Sequence, residues 1–266
     1  MKWFFAVTQD TLIHADHDFP GLLKAAAASA LRNTSLQPNL IFDGAECALT
    51  RDLRGMGVTI IHHQVSIGQY FKRHATPDYL LLIALGAYLR TDIPDIERKD
   101  EMVLYTDCDV LFLREPTVPS VIPHYFSCAP EFDPSDYDAI NTGVMWMNLN
   151  NLRQDLPVFR HFVQQEFLRL VAFDQGAYID FYRGRWDRLP IAANWKPYWG
   201  INPDAEIVHF HGPKPEAVRK RLCDPAYRAG DVWGVIMDGK DTEYRYYLEL
   251  WDSYRAYADT LIGAAA

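Results

Sequence analysis

Met102-Val103-Leu104-Tyr105-Thr106-Asp107-Cys108-Asp109-Val110-Leu111-Phe112 is the stretch on which the reading of this chain turns. Residues 102–105 have the length and β-rich composition of a buried strand, and a second apolar run follows the two acids. Acids at the carboxyl end of such a strand stand where α/β sheets form their ligand crevice, and residues two apart there face the same side. Two carboxylates held together raise each other's pKa unless a cation sits between them. Two oxygen-donor residues suit a hard divalent ion such as Mg²⁺ or Mn²⁺, which commonly completes its shell with phosphate oxygens, so the stretch points to a diphosphate ligand. The same pair could instead cap turns or bond arginine. Two other Asp-x-Asp triplets, Asp16/Asp18 and Asp136/Asp138, lack the preceding strand. A phosphatase of the Asp-x-Asp-x-Thr kind is disfavoured, because Leu111 stands two residues after Asp109 where threonine is required.

Working outward, short β-rich runs at residues 3–7, 40–42, 58–61 and 144–147 alternate with helical stretches. That alternation predicts βαβ units and a largely parallel sheet. Residues 19–31, with Gly21 and the alanines 25–28, have the composition of a helix packed closely on a sheet. Further helices are expected at 79–90, 157–171, 174–182 and 242–257. A nucleotide-binding half, about 1–150, and an acceptor-shaping half, about 151–215, would share one core.

A chain of 266 residues, 49% hydrophobic and 23% charged, is long enough for one substantial core. Its formal charge of -9 leaves no overall positive field for nucleic acid, so an anionic ligand must be held locally by a metal or a few placed cations. The apolar run at 3–7 is too short for a signal peptide. The longest apolar stretch, 79–89, falls short of the roughly 20 residues of a membrane span, so none is expected. Cys47, Cys108, Cys128 and Cys223 form no Cys-x-x-Cys pair and suit a reducing cytoplasm. The tail from 241 to 259 sets five acids against Arg245 and Arg255, which fits a soluble or weakly membrane-peripheral enzyme.

The second anchor is Ile207-Val208-His209-Phe210-His211-Gly212-Pro213-Lys214-Pro215. A strand ending in Gly-Pro puts His209 and His211 on one face and follows them with a lysine in a turn restricted by prolines. A histidine nitrogen could complete a Mn²⁺ shell, and Lys214 could neutralise phosphate charge. Just before this stretch, Asn194, Trp195, Tyr198 and Trp199 form an aromatic loop suited either to stacking on a sugar ring or to ordinary core packing.

Four motifs in order, Tyr105-Thr106-Asp107-Cys108-Asp109-Val110, Asn141-Thr142-Gly143-Val144-Met145-Trp146-Met147-Asn148-Leu149, Phe173-Asp174-Gln175 and His209-Phe210-His211-Gly212-Pro213-Lys214-Pro215, resemble those of family 8 glycosyltransferases, which include glycogenin and bacterial lipopolysaccharide galactosyl- and glucosyltransferases. The resemblance runs from about residue 3 to 215. It implies a GT-A fold, an α/β architecture whose Rossmann-like, mostly parallel central sheet is flanked by helices, with residues 216–266 as a helical C-terminal extension. It also implies a retaining transferase that moves a hexose from a nucleoside diphosphate sugar, usually a UDP-sugar, to a hydroxyl acceptor such as a saccharide.

By similarity, Asp107, Asp109 and His209 ligate Mn²⁺ or Mg²⁺, and His211 has no metal role. Lys214 matches the lysine that contacts the diphosphate, although Glu216 replaces the usual tryptophan. Arg90 matches a helix arginine that reaches the donor site, while Ala6, Val7 and Thr8 end the strand that seats the nucleoside. Asn141 and Gly143 would line the sugar pocket, with glycine permitting close backbone approach. Asp174 would bond sugar hydroxyls, or cap the helix it opens, and the Gln175 amide would lie near the anomeric carbon. A non-catalytic nucleotide-sugar binding protein and an inverting transferase are the alternatives on the same fold.

Overall fold

The computed structural model describes residues 1–14, 17–74, 85–224, 226–227 and 231–265. Inside its main sheet runs β1 (Lys2–Thr8), whose residues 3–8 are all buried. Alternation divides them between two cores: Trp3, Phe5 and Val7 join Leu40, Phe42 and Trp146 on one face. Phe4 and Ala6 join Ile41, Val103 and Tyr105 on the other. A strand covered on both faces must be apolar throughout, which is why no polar residue interrupts residues 3–7.

Strand β1 pairs in parallel with β2 (Gln37–Asp43) and β4 (Met102–Thr106), and β2 with β3 (Thr59–His62). One later strand reverses the direction: β7 (Ile140–Asn148) runs antiparallel to β4, and β6 (Phe126–Pro130), antiparallel to β7, returns to the direction of β4. With β8 (Asp187–Arg188) beside β6, the sheet has seven strands among the described residues, in the order β3-β2-β1-β4-β7-β6-β8. A second, two-stranded sheet pairs β5 (Val110–Phe112) with β9 (Ile207–His209) antiparallel, placing Val110 opposite His209.

Between the first strands lie α1 (Gln9–His14), α2 (Phe19–Asn33), α3 (Ala48–Gly55), α4 (Gly68–His74) and α5 (Ile93–Ile96). The Asp18 carboxylate accepts the Gly21 N–H at 2.9 Å and starts α2. Its alanines 25–28 are fully buried, so the helix lies close on the sheet. Of the helix expected at 79–90, residues 79–84 lie outside the described residues, 85–88 are helical, and a 3₁₀ turn spans Leu89–Asp92.

The helix expected at 157–171 begins earlier, as α6 (Leu149–Glu166). Asn148 caps it by accepting the N–H groups of Asn150 and Asn151 at 3.1 and 3.3 Å. The buried stripe Leu149, Leu152, Leu156, Phe159 and Val163 carries the helix through an exposed Pro157. After α7 (Asp174–Phe181) and β9 come α8 (Pro215–Cys223), α9 (Asp231–Met237) and α10 (Asp241–Ala265). Tyr244, Tyr247, Leu248 and Trp251 of α10 share a buried cluster with Leu111 and Val208 of the small sheet and with Phe210 just after it. Among the described residues no helix is long and apolar enough to cross a membrane.

Candidate active site

At Thr106 the chain leaves the large sheet, and residues 107–109 carry it across to β5. The two acids therefore stand in the link between sheets, not on a strand, and the β5–β9 register supplies the third member of their cluster. Phe210 N–H donates to the Asp109 carbonyl at 2.9 Å. His209 Nε2 lies 3.3 Å from Asp109 Oδ1 and 3.9 Å from Asp107 Oδ2. Among the described residues, Asp107, Asp109 and His209 are the one group of His, Cys, Asp or Glu whose donor atoms could hold an ion, all within 4.8 Å of one another. Asp136 instead accepts the N–H groups of Asp138 and Ala139 in an exposed turn. Asp16 lies outside the described residues.

Burial alone would push the Asp109 carboxyl up, but the Lys214 ammonium holds it well below the usual carboxylate range. Lys214 Nζ donates to Asp109 Oδ2 and, at 3.2 Å, to the Phe210 carbonyl. The Tyr105 hydroxyl donates to Asp107 Oδ1 at 2.9 Å. Because His209 Nδ1 meets the Asn194 side-chain oxygen at 3.0 Å, Nε2 is the ring nitrogen presented to the carboxylates. Two carboxylates and an imidazole nitrogen fit Mn²⁺ or Mg²⁺. The close approach of Gly143 is to this cluster: a Cβ there would stand 2.2 Å from His209 Cε1 and 2.8 Å from Asp107 Oδ2.

Arg90 enters from the 3₁₀ turn and is 4% exposed. It donates through Nε to Asp174 Oδ2 and through Nη1 to the Thr142 carbonyl, and Nη1 lies 3.4 Å from Asp107 Oδ1. Burial works against its charge, yet the Asp174, Tyr105 and Asp107 side chains around it keep the guanidinium ionised. The Asp174 carboxylate is thus committed to Arg90 and caps no helix. The N-cap position of α7 is Phe173, which makes no side-chain cap bond. Ala172 and Phe173 both have positive φ, 56° and 55°, a strained turn just before Gln175. Gly176 allows that turn to fold onto the helix, since a Cβ would stand 2.1 Å from the Val171 carbonyl oxygen.

Gln175 Nε2 donates to Glu131 Oε1 at 3.0 Å. Burial would raise the Glu131 carboxyl, but the bonds from His211 and Gln175 hold it below the ordinary range. Sequence reasoning missed Glu131. The available signal was its place after the apolar run 126–130, like that of Asp107 after β4. His211 Nε2 lies 3.3 Å from Glu131 Oε1 and Nδ1 2.9 Å from the Tyr198 hydroxyl, away from the carboxylate pair. Burial lowers its pKa to about 4.

A cleft of about 420 Å³ opens over these groups. Its wall includes Ala6, Val7, Arg90, Asp107, Asp109, Asn141, Asp174, Gln175, His209 and Lys214, so most of the residues singled out from sequence meet in one place. Thr8 is not on the wall: its hydroxyl is 2.9 Å from that of Thr11, whose N–H it also accepts, and Thr11 takes the wall position. Nor do Asn194, Trp195, Tyr198 and Trp199 line it. Trp195 Nε1 donates to the Gly200 carbonyl, Tyr198 Oη to that of Glu131 and Trp199 Nε1 to that of Phe132, so this loop backs the wall. The indole on the wall is Trp233 of α9, resting on Gly212, where φ is +88° and a Cβ would meet the ring at 2.3 Å.

No protein-family model and no curated protein sequence matches this chain. Solved structures do. The galactosyltransferase LgtC, in complex with donor and acceptor sugar analogs, superposes with a TM-score of 0.66 and 16% identity over 95% of this chain and 96% of its own. The glycosyltransferase GlyE of Streptococcus pneumoniae TIGR4 gives 0.60 and 16% identity over 95% of this chain and 64% of its own. Mouse xyloside xylosyltransferase 1 gives 0.55 and 16% identity over 79% of this chain and 97% of its own. The chain has the GT-A fold of these glycosyltransferases.

Proposed function

We propose that this chain is a metal-dependent retaining glycosyltransferase, of the family 8 type, that moves a hexose from a UDP-sugar to a hydroxyl of a saccharide acceptor. The observation that carries the reading is the meeting, in one cleft, of the Asp107–Asp109–His209 cluster and Lys214 with the Arg90–Asp174 pair and Gln175. Bound Mn²⁺ or Mg²⁺ would supply charge neutralisation for a diphosphate leaving group. Lys214 adds its ammonium to the same diphosphate as negative charge builds there. Ala6 and Val7, at the end of β1, seat the nucleoside. Burial raises the Asp174 carboxyl, the bond from Arg90 works against that rise, and the same bond holds the carboxylate for the sugar hydroxyls.

Gln175 offers an amide dipole beside the anomeric carbon and no carboxylate with which to form a covalent intermediate. That favours attack by the acceptor hydroxyl on the leaving-group face, its proton passing to a diphosphate oxygen. LgtC, solved also as an active-site variant in which glutamate replaces a glutamine, supports looking to the glutamine of this cleft. Glu131, next to Gln175, offers the acceptor a hydrogen-bond acceptor.

The test is release of UDP from a panel of UDP-sugars with Mn²⁺ or Mg²⁺, paired with calorimetry of UDP binding. Turnover of at least one donor is expected. Equal UDP affinity in EDTA and in Mn²⁺ would sink the metal assignment, and UDP binding without turnover of any donor would leave a binding protein.

A further inference from the structure

The polar side chains behind the cleft wall form a series that runs one way. Gln175 lies between two partners whose roles cannot be exchanged: the Thr142 backbone N–H only donates, 3.0 Å from Oε1, and the Glu131 carboxylate accepts from Nε2 at 3.0 Å. Asn141 Nδ2 donates to that same Oε1 at 3.2 Å. Asn141 is fixed a second time by the Gly143 N–H, which donates to its Oδ1 at 3.1 Å. The Asn141 oxygen therefore accepts from Asn194 Nδ2 at 3.0 Å, which turns the Asn194 oxygen to His209 Nδ1 at 3.0 Å. An amide oxygen only accepts, so Nδ1 carries a proton and Nε2 faces Asp107 and Asp109.

We propose that Asn194 is a positioning residue for His209, selecting the ring tautomer in which Nε2 is free to ligate the divalent ion. Its significance for the reaction rests on the metal-dependent reading above, whereas the hydrogen bond is a property of the chain alone. Asn194 is fully buried and forms no part of the cleft wall, so it touches no ligand there and reaches the site through the His209 ring and Asn141. In the other tautomer the proton would sit between Nε2 and Asp109 Oδ1, 3.3 Å away, and occupy the position an ion needs. A buried, well-formed bond at Nδ1 decides between two such tautomers, because losing it would strand the Asn194 oxygen without a donor.

The test compares the whole chain with Asn194→Leu, which removes the acceptor at similar volume, and Asn194→Asp. A buried aspartic acid still accepts from Nδ1 and, protonated, still donates to Asn141. Nitrogen-15 NMR of the His209 ring, without metal and at mildly alkaline pH, should show the proton on Nδ1 in wild type and on Nε2 in Asn194→Leu. Calorimetry with Mn²⁺ and no nucleotide should show about 10- to 100-fold weaker binding for Asn194→Leu. Asn194→Asp should recover most of it. If the leucine variant does not fold, the wild-type ring spectrum and the aspartate variant still decide. A bare Nδ1 in a wild type that binds the ion, or equal loss of affinity in both variants, would overturn the proposal alone. A wild type that binds no divalent ion would overturn the metal-dependent reading and this role together.

Discussion

Gly143 and His209 are in contact so close that the glycine's missing side chain is part of the cluster's shape: a Cβ would stand 2.2 Å from the imidazole Cε1. Gly143→Ala is accordingly expected to displace His209 and Asp107 together. Overpacking of a buried site costs about 1–3 kcal/mol, so the variant should fold with a lowered Tm. Its Mn²⁺ affinity by calorimetry should fall by more than tenfold, since ligand geometry is lost. Unchanged affinity would show that the ring can move aside without consequence and would remove Gly143 from the site.

Asp109→Asn removes both a ligand and the charge that balances Lys214. UDP binding with Mn²⁺ should weaken severely, and His209→Ala should behave alike. His211→Ala should be mild toward UDP, because its ring nitrogens meet Glu131 and Tyr198 and neither carboxylate of the cluster. Calorimetry that ranks the two histidines in the opposite order would move the third ligand to His211.

Gln175→Ala should lower kcat about ten- to a thousandfold while UDP affinity stays nearly unchanged, the pattern of a group that acts on the transition state without gripping the nucleotide. Wild-type product should keep the α-configuration of the donor. A β-linked product, read by NMR, would overturn the front-face route and direct attention to Glu131, 3.0 Å from the glutamine amide, as a general base.

Acid sensitivity should trace in part to Asp92, which closes the turn that carries Arg90 and is 1% exposed. Burial opposes its charge, but bonds from His63 at 2.9 Å, Ser66 N–H at 2.8 Å and Arg160 at 2.7 Å hold its carboxyl below the ordinary aspartate range. A folded value below the unfolded one means stability that is present above the unfolded pKa, near 4, and lost as pH falls through the folded value. Asp92→Asn should cost roughly 2–4 kcal/mol at pH 7 and flatten the acid limb of the stability profile, measured by urea titration. Wild type and variant with parallel acid limbs would exclude Asp92 as a source.

Much of this molecule was legible before its structure. Residues 3–7 and 102–105 read as buried strands because a strand covered on both faces is apolar at every position, a local property of composition. Motif order also singled out Asp107, Asp109, His209 and Gln175, which line one cleft. The reversal of β7, the extension of α6 back to Asn148 and the withdrawal of Thr8 and the 194–199 loop from the cleft were not legible. Each depends on which surface a residue meets, and single-sequence patterning describes only the residue's own periodicity. Glu131 and Trp233 reach the cleft from elements far from the acids in sequence. The direction of the amide series behind the wall is likewise a tertiary property, because it is decided by the Thr142 N–H and the Glu131 carboxylate flanking Gln175 across separate elements. The chain's own order of residues chose the strands and the chemistry they carry; only packing, which brings β9 beside β5, decided which imidazole nitrogen the carboxylates meet.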